Sequence, residues 1–242
     1  MPFFNIVAET SENTVVTEYE PVKKRSDSYQ SEAELEQEFI HLLSEQGYEY
    51  LPIHTEKDLI ANLRKKLEEL NNYRFSDTEW DEFFQNAVAN PNEHIVEKTR
   101  KIQEDNIQVL TRDDGSSKNI TLIDKKNIHN NRLQVINQYK VNTDAGAKYD
   151  NRYDVTVLVN GLPLVHIELK RRGVAIREAF NQINRYRRDS FRGLFHFIQC
   201  FVVSNSIQTK YFANENETNA DGTNKAILKS LAFFWTDANN ER

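Results

Sequence analysis

A single cysteine, Cys200, stands in this 242-residue chain, so neither an internal disulfide framework nor a cysteine-built zinc site is available. No apolar run approaches the roughly 20 residues needed to span a bilayer. The opening MPFFNIVAETSENTVV lacks the basic start and apolar stretch of a secretory signal. These absences lead to the expectation of a protein in the reducing cytoplasm, without a membrane partner. Positive charge is also in deficit, and a net charge of −6 counts against binding nucleic acid by bulk attraction. The chain carries no internal repeat.

What is present is the material of a core. The chain is 38% hydrophobic and 28% charged, with 14 Phe and 10 Tyr, which places it among globular rather than disordered sequences. Its length suits one large domain, or one domain with an appended piece. Charge is unevenly spread: residues 1–50 hold 11 acidic and 3 basic side chains, whereas residues 170–188 hold 7 basic and 1 acidic. That asymmetry permits a local phosphate-binding face on an acidic protein.

Residues 1–30 read as irregular or weakly β. Ser31 then opens a helix as its N-cap, with Glu34 placed for a capping box and Gly47 ending it. Leu35, Phe39, Leu42 and Leu43 follow helical spacing and are expected to bury one face. Amphipathic helices are expected near 57–71, 77–89 and 92–103. From residue 118 the pattern changes: strands at 120–124 and 132–141, a polar loop containing Gly146, and then YDVTVLVNGLPLVHIELKRR (153–172), an Asn-Gly hairpin. A helix of about five turns over 173–191, a near-continuous apolar strand in LFHFIQCFVVSN and a short strand in TKYFAN follow. The resulting fold class is α/β, a mixed central sheet flanked by helices.

The hairpin holds charges where a core strand would not. Side chains alternate faces along a strand, so Glu168 and Lys170 share one face of the second strand. A strict two-residue loop would pair Val159 with Leu162 and Asp154 with Ile167, turning Glu168 away from Asp154. One more residue in the turn would pair Val159 with Pro163 and set Asp154 opposite Glu168. The second register is the expected one, because it gathers the charges and because Pro163 has no N–H for a tight ladder. Facing carboxylates need a counter-charge. Mg²⁺, which takes oxygen ligands and keeps several waters, would supply it, polarise a phosphoryl oxygen and acidify a bound water. Lys170 would position that water or stabilise developing charge. A solvated Asp–Lys–Glu ladder on an edge hairpin fits the same residues. In the following helix Gln182 and Tyr186, spaced i, i+4, reach toward one point. Arg185, Arg187 and Arg188 cluster beyond them, either contacting DNA backbone or forming an exposed helix end.

Asp154 followed by Glu168-Leu169-Lys170 resembles the D…ExK core of the PD-(D/E)xK nuclease superfamily, and Gln182 to Tyr186 resembles the QxxxY motif of its RecB-like branch. Tyr153 stands where that superfamily usually has proline. The wider stretch NRYDVTVLVNGLPLVHIELKRRGVAIREAFNQINRYRR, with SYQSEAELEQEFIHLLSEQGYEYL, LIDKKN and VVSNSIQTKYFAN, is similar to the N-terminal nuclease region of the restriction (R) subunit of type I restriction-modification enzymes, over about residues 28–213. The resemblance implies Mg²⁺-dependent, ATP-linked double-strand cleavage of DNA far from the recognition site, with Mn²⁺ as a substitute metal. It implies Asp154, Glu168 and the Leu169 main-chain carbonyl as metal ligands, Lys170 as catalytic lysine, Gln182 and Tyr186 as supports, and Glu36 as a possible further acidic group. Arg171, Arg172, Arg185, Arg187 and Arg188 become candidate DNA contacts.

The same resemblance divides the chain into an N-terminal segment (1–30), an endonuclease domain (31–213, helical part 31–105 and core 118–213) and a junction (214–242) toward a helicase motor. Its implied partners are double-stranded DNA, that motor, and the methyltransferase and specificity subunits. No G-x-x-x-x-G-K-[ST] phosphate loop occurs in this chain, so ATP is expected to bind only the longer subunit. Two other readings stay open: a stand-alone RecB-like repair or recombination nuclease, and a non-catalytic DNA-binding or scaffolding module.

Overall fold

The Oγ of Ser31 accepts the Glu34 N–H, and the Glu34 carboxylate returns to the Ser31 N–H at 2.8 Å, so the capping box forms and launches α1 (Glu32–Glu45). The computed structural model describes residues 4–9, 15–19, 30–141, 152–214 and 232–234. Ahead of α1, β1 (Phe4–Glu9) and β2 (Val15–Tyr19) pair antiparallel. After it come β3 (Glu49–Tyr50), α2 (Glu56–Asn71), α3 (Asp77–Phe83) and α4 (Ile95–Gln103). The helix expected over 77–89 changes character at its end, where Phe84–Val88 widens into a π-helical turn. Lys98 and Lys101 of α4 donate to the Val88 and Ala87 carbonyls that this turn leaves open.

β4 (Ile107–Thr111) and β5 (Ser117–Thr121) make a separate antiparallel pair. The strand expected at 120–124 therefore lies three residues earlier, and β4 has no counterpart among the sequence expectations. The main sheet comprises β6 (Leu133–Lys140), β7 (Arg152–Val159), β8 (Leu162–Leu169), β9 (Cys200–Ser204), β10 (Thr209–Ala213) and β11 (Phe233–Phe234), together with β3, in the order β11-β10-β9-β8-β7-β6-β3. β8–β9 and β3–β6 run parallel and the other pairs antiparallel. The crossover from β8 to β9 is α5 (Ile176–Asp189), shorter than the stretch expected over 173–191. The apolar run before β9 is not all strand: Gly193–Phe197 forms a 3₁₀ turn that buries Phe195 and Phe197. The loop around Gly146 and most of the 214–242 segment fall outside the described residues.

The sheet is covered on both faces. Leu35, Phe39, Ile40 and Leu43 of α1 pack on Val135, Val155, Ile167 and Leu169. Leu42, expected on that face, is 37% exposed, and Ile40 takes its place. On the other face Ala179, Phe180, Ile183 and Tyr186 of α5 join Leu59, Leu63 and Leu67 of α2 in the larger core.

The hairpin register corrects the sequence expectation in its cause. The turn is a strict two-residue loop, with Val159 opposite Leu162. Asn160 and Gly161 have φ of 51° and 86°, as a type I′ turn requires. The extra residue sits inside β8 instead: Leu158 faces Pro163 while Val157 faces Val165, leaving Leu164 as a bulge. Proline, lacking the N–H, is at home beside such a ladder break. Beyond the bulge Val155 faces Ile167, and the same register carried one step further sets Asp154 level with Glu168.

The turn itself is interior. The Asn160 side chain donates to the Leu122 carbonyl and to Asn131, and it accepts the Arg132 N–H. A Cβ on Gly161 would lie 2.6 Å from the Cα of Leu63 in α2. Gly161→Ala is thus expected to destabilise the fold by about 2–3 kcal/mol, from overpacking together with a left-handed backbone, read as a lower urea midpoint at unchanged slope.

Candidate active site

β7 and β8 part just past the Val155–Ile167 pair, and the carboxylates occupy the fork. Asp154 Oδ2 accepts the Leu169 N–H at 3.0 Å, taking the place a ladder carbonyl would hold and fixing the Leu169 backbone beside it. Glu168 is fully buried; its Oε1 accepts from Lys170 Nζ at 2.8 Å, and its Oε2 has no hydrogen-bond partner. Burial, and then the charge of Glu168, push Asp154 up to about 7. Burial raises Glu168 as well, although Lys170 opposes it. Burial alone would lower the Lys170 ammonium, but Glu168 and Asp154 outweigh it and the net shift is upward. The structure therefore brings Asp154, Glu168 and Lys170 together, as the second register anticipated.

Gln182 and Tyr186 also converge, on the backbone of β7. The Gln182 amide donates to the Tyr186 hydroxyl, which in turn donates to the Arg152 carbonyl at 2.9 Å. They brace the strand two residues before Asp154, and the Tyr186 ring is buried against Tyr153 and His166. Glu36 is far from the solvated glutamate it resembles in sequence: it is the buried residue of α1 and accepts from Asn137 and Gln138 of β6. Burial raises its pKa, and the Asp154 charge adds to the rise. Arg171, Arg172, Arg185 and Arg188 are exposed at this end of the molecule, whereas Arg187 is buried and donates to the Asn214 side chain at 3.0 Å.

Three neighbours were not singled out from the sequence. Glu32, one helical turn before Glu36, accepts the Arg171 N–H and adds negative potential at Lys170. The i, i+4 spacing of Glu32 and Glu36 was the available signal. His166 alternates with Glu168 on β8 and sets Nε2 3.5 Å from Glu168 Oε2. Burial draws its pKa down to about 4, so the pair is not an ion pair near neutral pH. Gln138, third of the group, adopts φ 52° in mid-strand.

Among the described residues no three His, Cys, Asp or Glu side chains are grouped as a metal cage. Two carboxylates with an unpartnered buried oxygen instead match a hard cation that keeps much of its water. The donors present fit Mg²⁺ or Mn²⁺.

A mixed sheet covered on both faces, with an acidic fork and a lysine at its end, is the core layout of PD-(D/E)xK nucleases. The chain belongs to the type I restriction enzyme R protein N-terminal family, whose profile matches residues 29–220. It is 50% identical over 212 residues to the type I restriction enzyme EcoprrI endonuclease subunit of Escherichia coli, covering 86% of this chain and 66% of that protein. To a type I restriction enzyme endonuclease subunit of Staphylococcus aureus it is 39% identical over 216 residues, covering 89% of this chain and 22% of that protein. The HindI endonuclease subunit of Haemophilus influenzae is 29% identical over 199 residues, 73% of this chain and 18% of its own length. The chain thus spans just under two thirds of the first relative and about a fifth of the other two. Among the described residues no helix is long and apolar enough to cross a membrane.

Proposed function

We propose that this chain is the DNA-cleaving part of a type I restriction enzyme R subunit, hydrolysing phosphodiesters at the Asp154–Glu168–Lys170 fork. The observation that carries the reading is the buried, partly unpartnered Glu168 carboxylate beside Asp154, with one lysine bonded to it. Burying two carboxylates at a sheet end costs free energy that one lysine and one backbone N–H only partly offset, and a bound cation would supply the rest. Asp154, Glu168 and the Leu169 carbonyl would hold Mg²⁺, or Mn²⁺ in its place. Bound there, the cation supplies Lewis-acid stabilisation of a phosphoryl oxygen and a more acidic water.

The chain's own groups do the rest. Lys170 Nζ, fixed on Glu168 Oε1, leaves its remaining N–H donors for the attacking water and the phosphate as charge builds. Gln182 and Tyr186 hold β7 so that Asp154 stays in register with Glu168. The exposed Arg171, Arg172, Arg185 and Arg188 meet the DNA backbone, a contact that fixes position without reading sequence. Buried Arg187 is left out of that set. In the whole enzyme, a motor that uses ATP draws DNA past this site, and methyltransferase and specificity subunits choose the sequence. Double-strand cleavage then falls at a distance from the recognition site.

Plasmid cleavage in Mg²⁺, with the motor, methyltransferase and specificity parts restored, tests the reading. The parent chain is expected to linearise the plasmid and Asp154→Ala to leave it intact. Equal cutting by both would refute it.

A further inference from the structure

Gln138 breaks two rules of its strand at the level of Asp154. Its φ of 52° is left-handed, a region that glutamine rarely enters. The β6–β7 ladder pairs Asn137 with Val155 and Tyr139 with Tyr153, yet the level between them, Gln138 and Asp154, is not paired. The register is the same on both sides of the gap, so no residue has been inserted; both strands change face across it, β6 at Gln138 and β7 at Asp154, and of the two residues Gln138 has the left-handed backbone.

Its effect is on faces. Regular alternation would put Asn137 toward α1 and Gln138 toward α5. Instead both consecutive side chains turn to α1 and both donate to Glu36, Asn137 to Oε1 and Gln138 to Oε2. Tyr139 and Tyr153 are displaced in step, stacking on the α5 side at 6.0 Å between ring centroids. Gln138 Oε1 is left buried without a partner, a second cost at the same residue. Strain held at one point beside an acidic cluster points from the outlier to function.

We infer that Gln138 is a positioning residue whose left-handed backbone allows a pair of amides to clamp the Glu36 carboxylate beside Asp154, and so sets the acidic surface that receives the metal. The inference rests on the nuclease reading above. It assigns Gln138 no contact with substrate, and its influence runs through Glu36.

Gln138→Gly keeps the backbone conformation at no steric cost and removes the amide. This variant is expected to unfold at a midpoint no lower than the parent's, while its Mn²⁺ affinity by titration calorimetry falls about tenfold, as for lost outer-shell partners. Plasmid cleavage should fall with it. In a double-mutant cycle, Gln138→Gly added to Glu36→Ala should cause no further loss of Mn²⁺ affinity. Unchanged Mn²⁺ affinity in Gln138→Gly, or full additivity with Glu36→Ala, would overturn the inference. Asp154→Ala separates the two levels. If it abolishes Mn²⁺ binding while Gln138→Gly does not weaken it, only the role of Gln138 fails. If Asp154→Ala also binds normally, the nuclease reading itself fails.

Discussion

Lys170→Ala is expected to cut plasmid cleavage at least a hundredfold, on the order of the loss from removing one preorganised charge-stabilising donor. The ammonium is nine-tenths buried, bonded to Glu168 Oε1, and held in its charged form by the two carboxylates. The other basic group beside Glu168, His166 at 3.5 Å from its Oε2, is kept neutral near pH 7 by burial and does not replace the lysine's charge. Removing it also leaves a buried carboxylate without its cation, so a stability loss of up to about 3 kcal/mol should accompany the change. Lys170→Arg separates the two effects. Its charge keeps Glu168 paired, so the urea midpoint should stay near the parent's. Its planar, wider head does not reproduce the lysine's point donor, so cleavage should still be lost. Normal cutting by Lys170→Ala would refute the assignment of the lysine.

The largest effect on stability is expected far from that fork. Glu93 holds both Lys98 and Lys101, whose ammonium groups also close the Val88 and Ala87 carbonyls at the end of the π-helical turn. Lys98 is 1% exposed, and burial draws its pKa down further than Glu93 restores it. Glu93→Ala would strand two cations in the interior, at a cost of about 3–5 kcal/mol by urea unfolding. On Glu93 itself burial acts upward, but the two lysines prevail and hold it below the usual carboxylate value. A carboxylate depressed in the folded state stabilises above its unfolded value, here 4.5, and that contribution is lost as pH falls through the folded value. The gap between parent and variant should therefore be widest near neutral pH and close on acidification below about 4.5. Cleavage per folded molecule should be unaffected.

Local chemistry explains what was legible in the sequence. Ser31 with Glu34, the Asn160-Gly161 turn and the i, i+4 pair of Gln182 and Tyr186 each act within a few residues, so their signals survive without the fold. The gathering of Asp154 with Glu168 was also legible, because only one register joins the charges. Its device was not: the added residue is the Leu164 bulge, where the proline break falls, and the turn could stay tight because α2 packs directly on Gly161. The burial of Glu36 depends on β6 amides a hundred residues away, which no helical pattern on α1 reveals. β4 escaped notice because its Ile107 and Val109 remain exposed, so the strand lacks a two-sided apolar signature. The left-handed Gln138 had no signal, since the residue type argues against that conformation.

The central claim is that Asp154 and Glu168 form a site for a divalent cation, and calorimetric titration of Mn²⁺ into this chain tests it most directly. The parent is predicted to bind Mn²⁺ saturably, and Asp154→Ala, folded to the same degree by circular dichroism, to show no binding. Identical isotherms for the two, or no binding by the parent, would contradict the account.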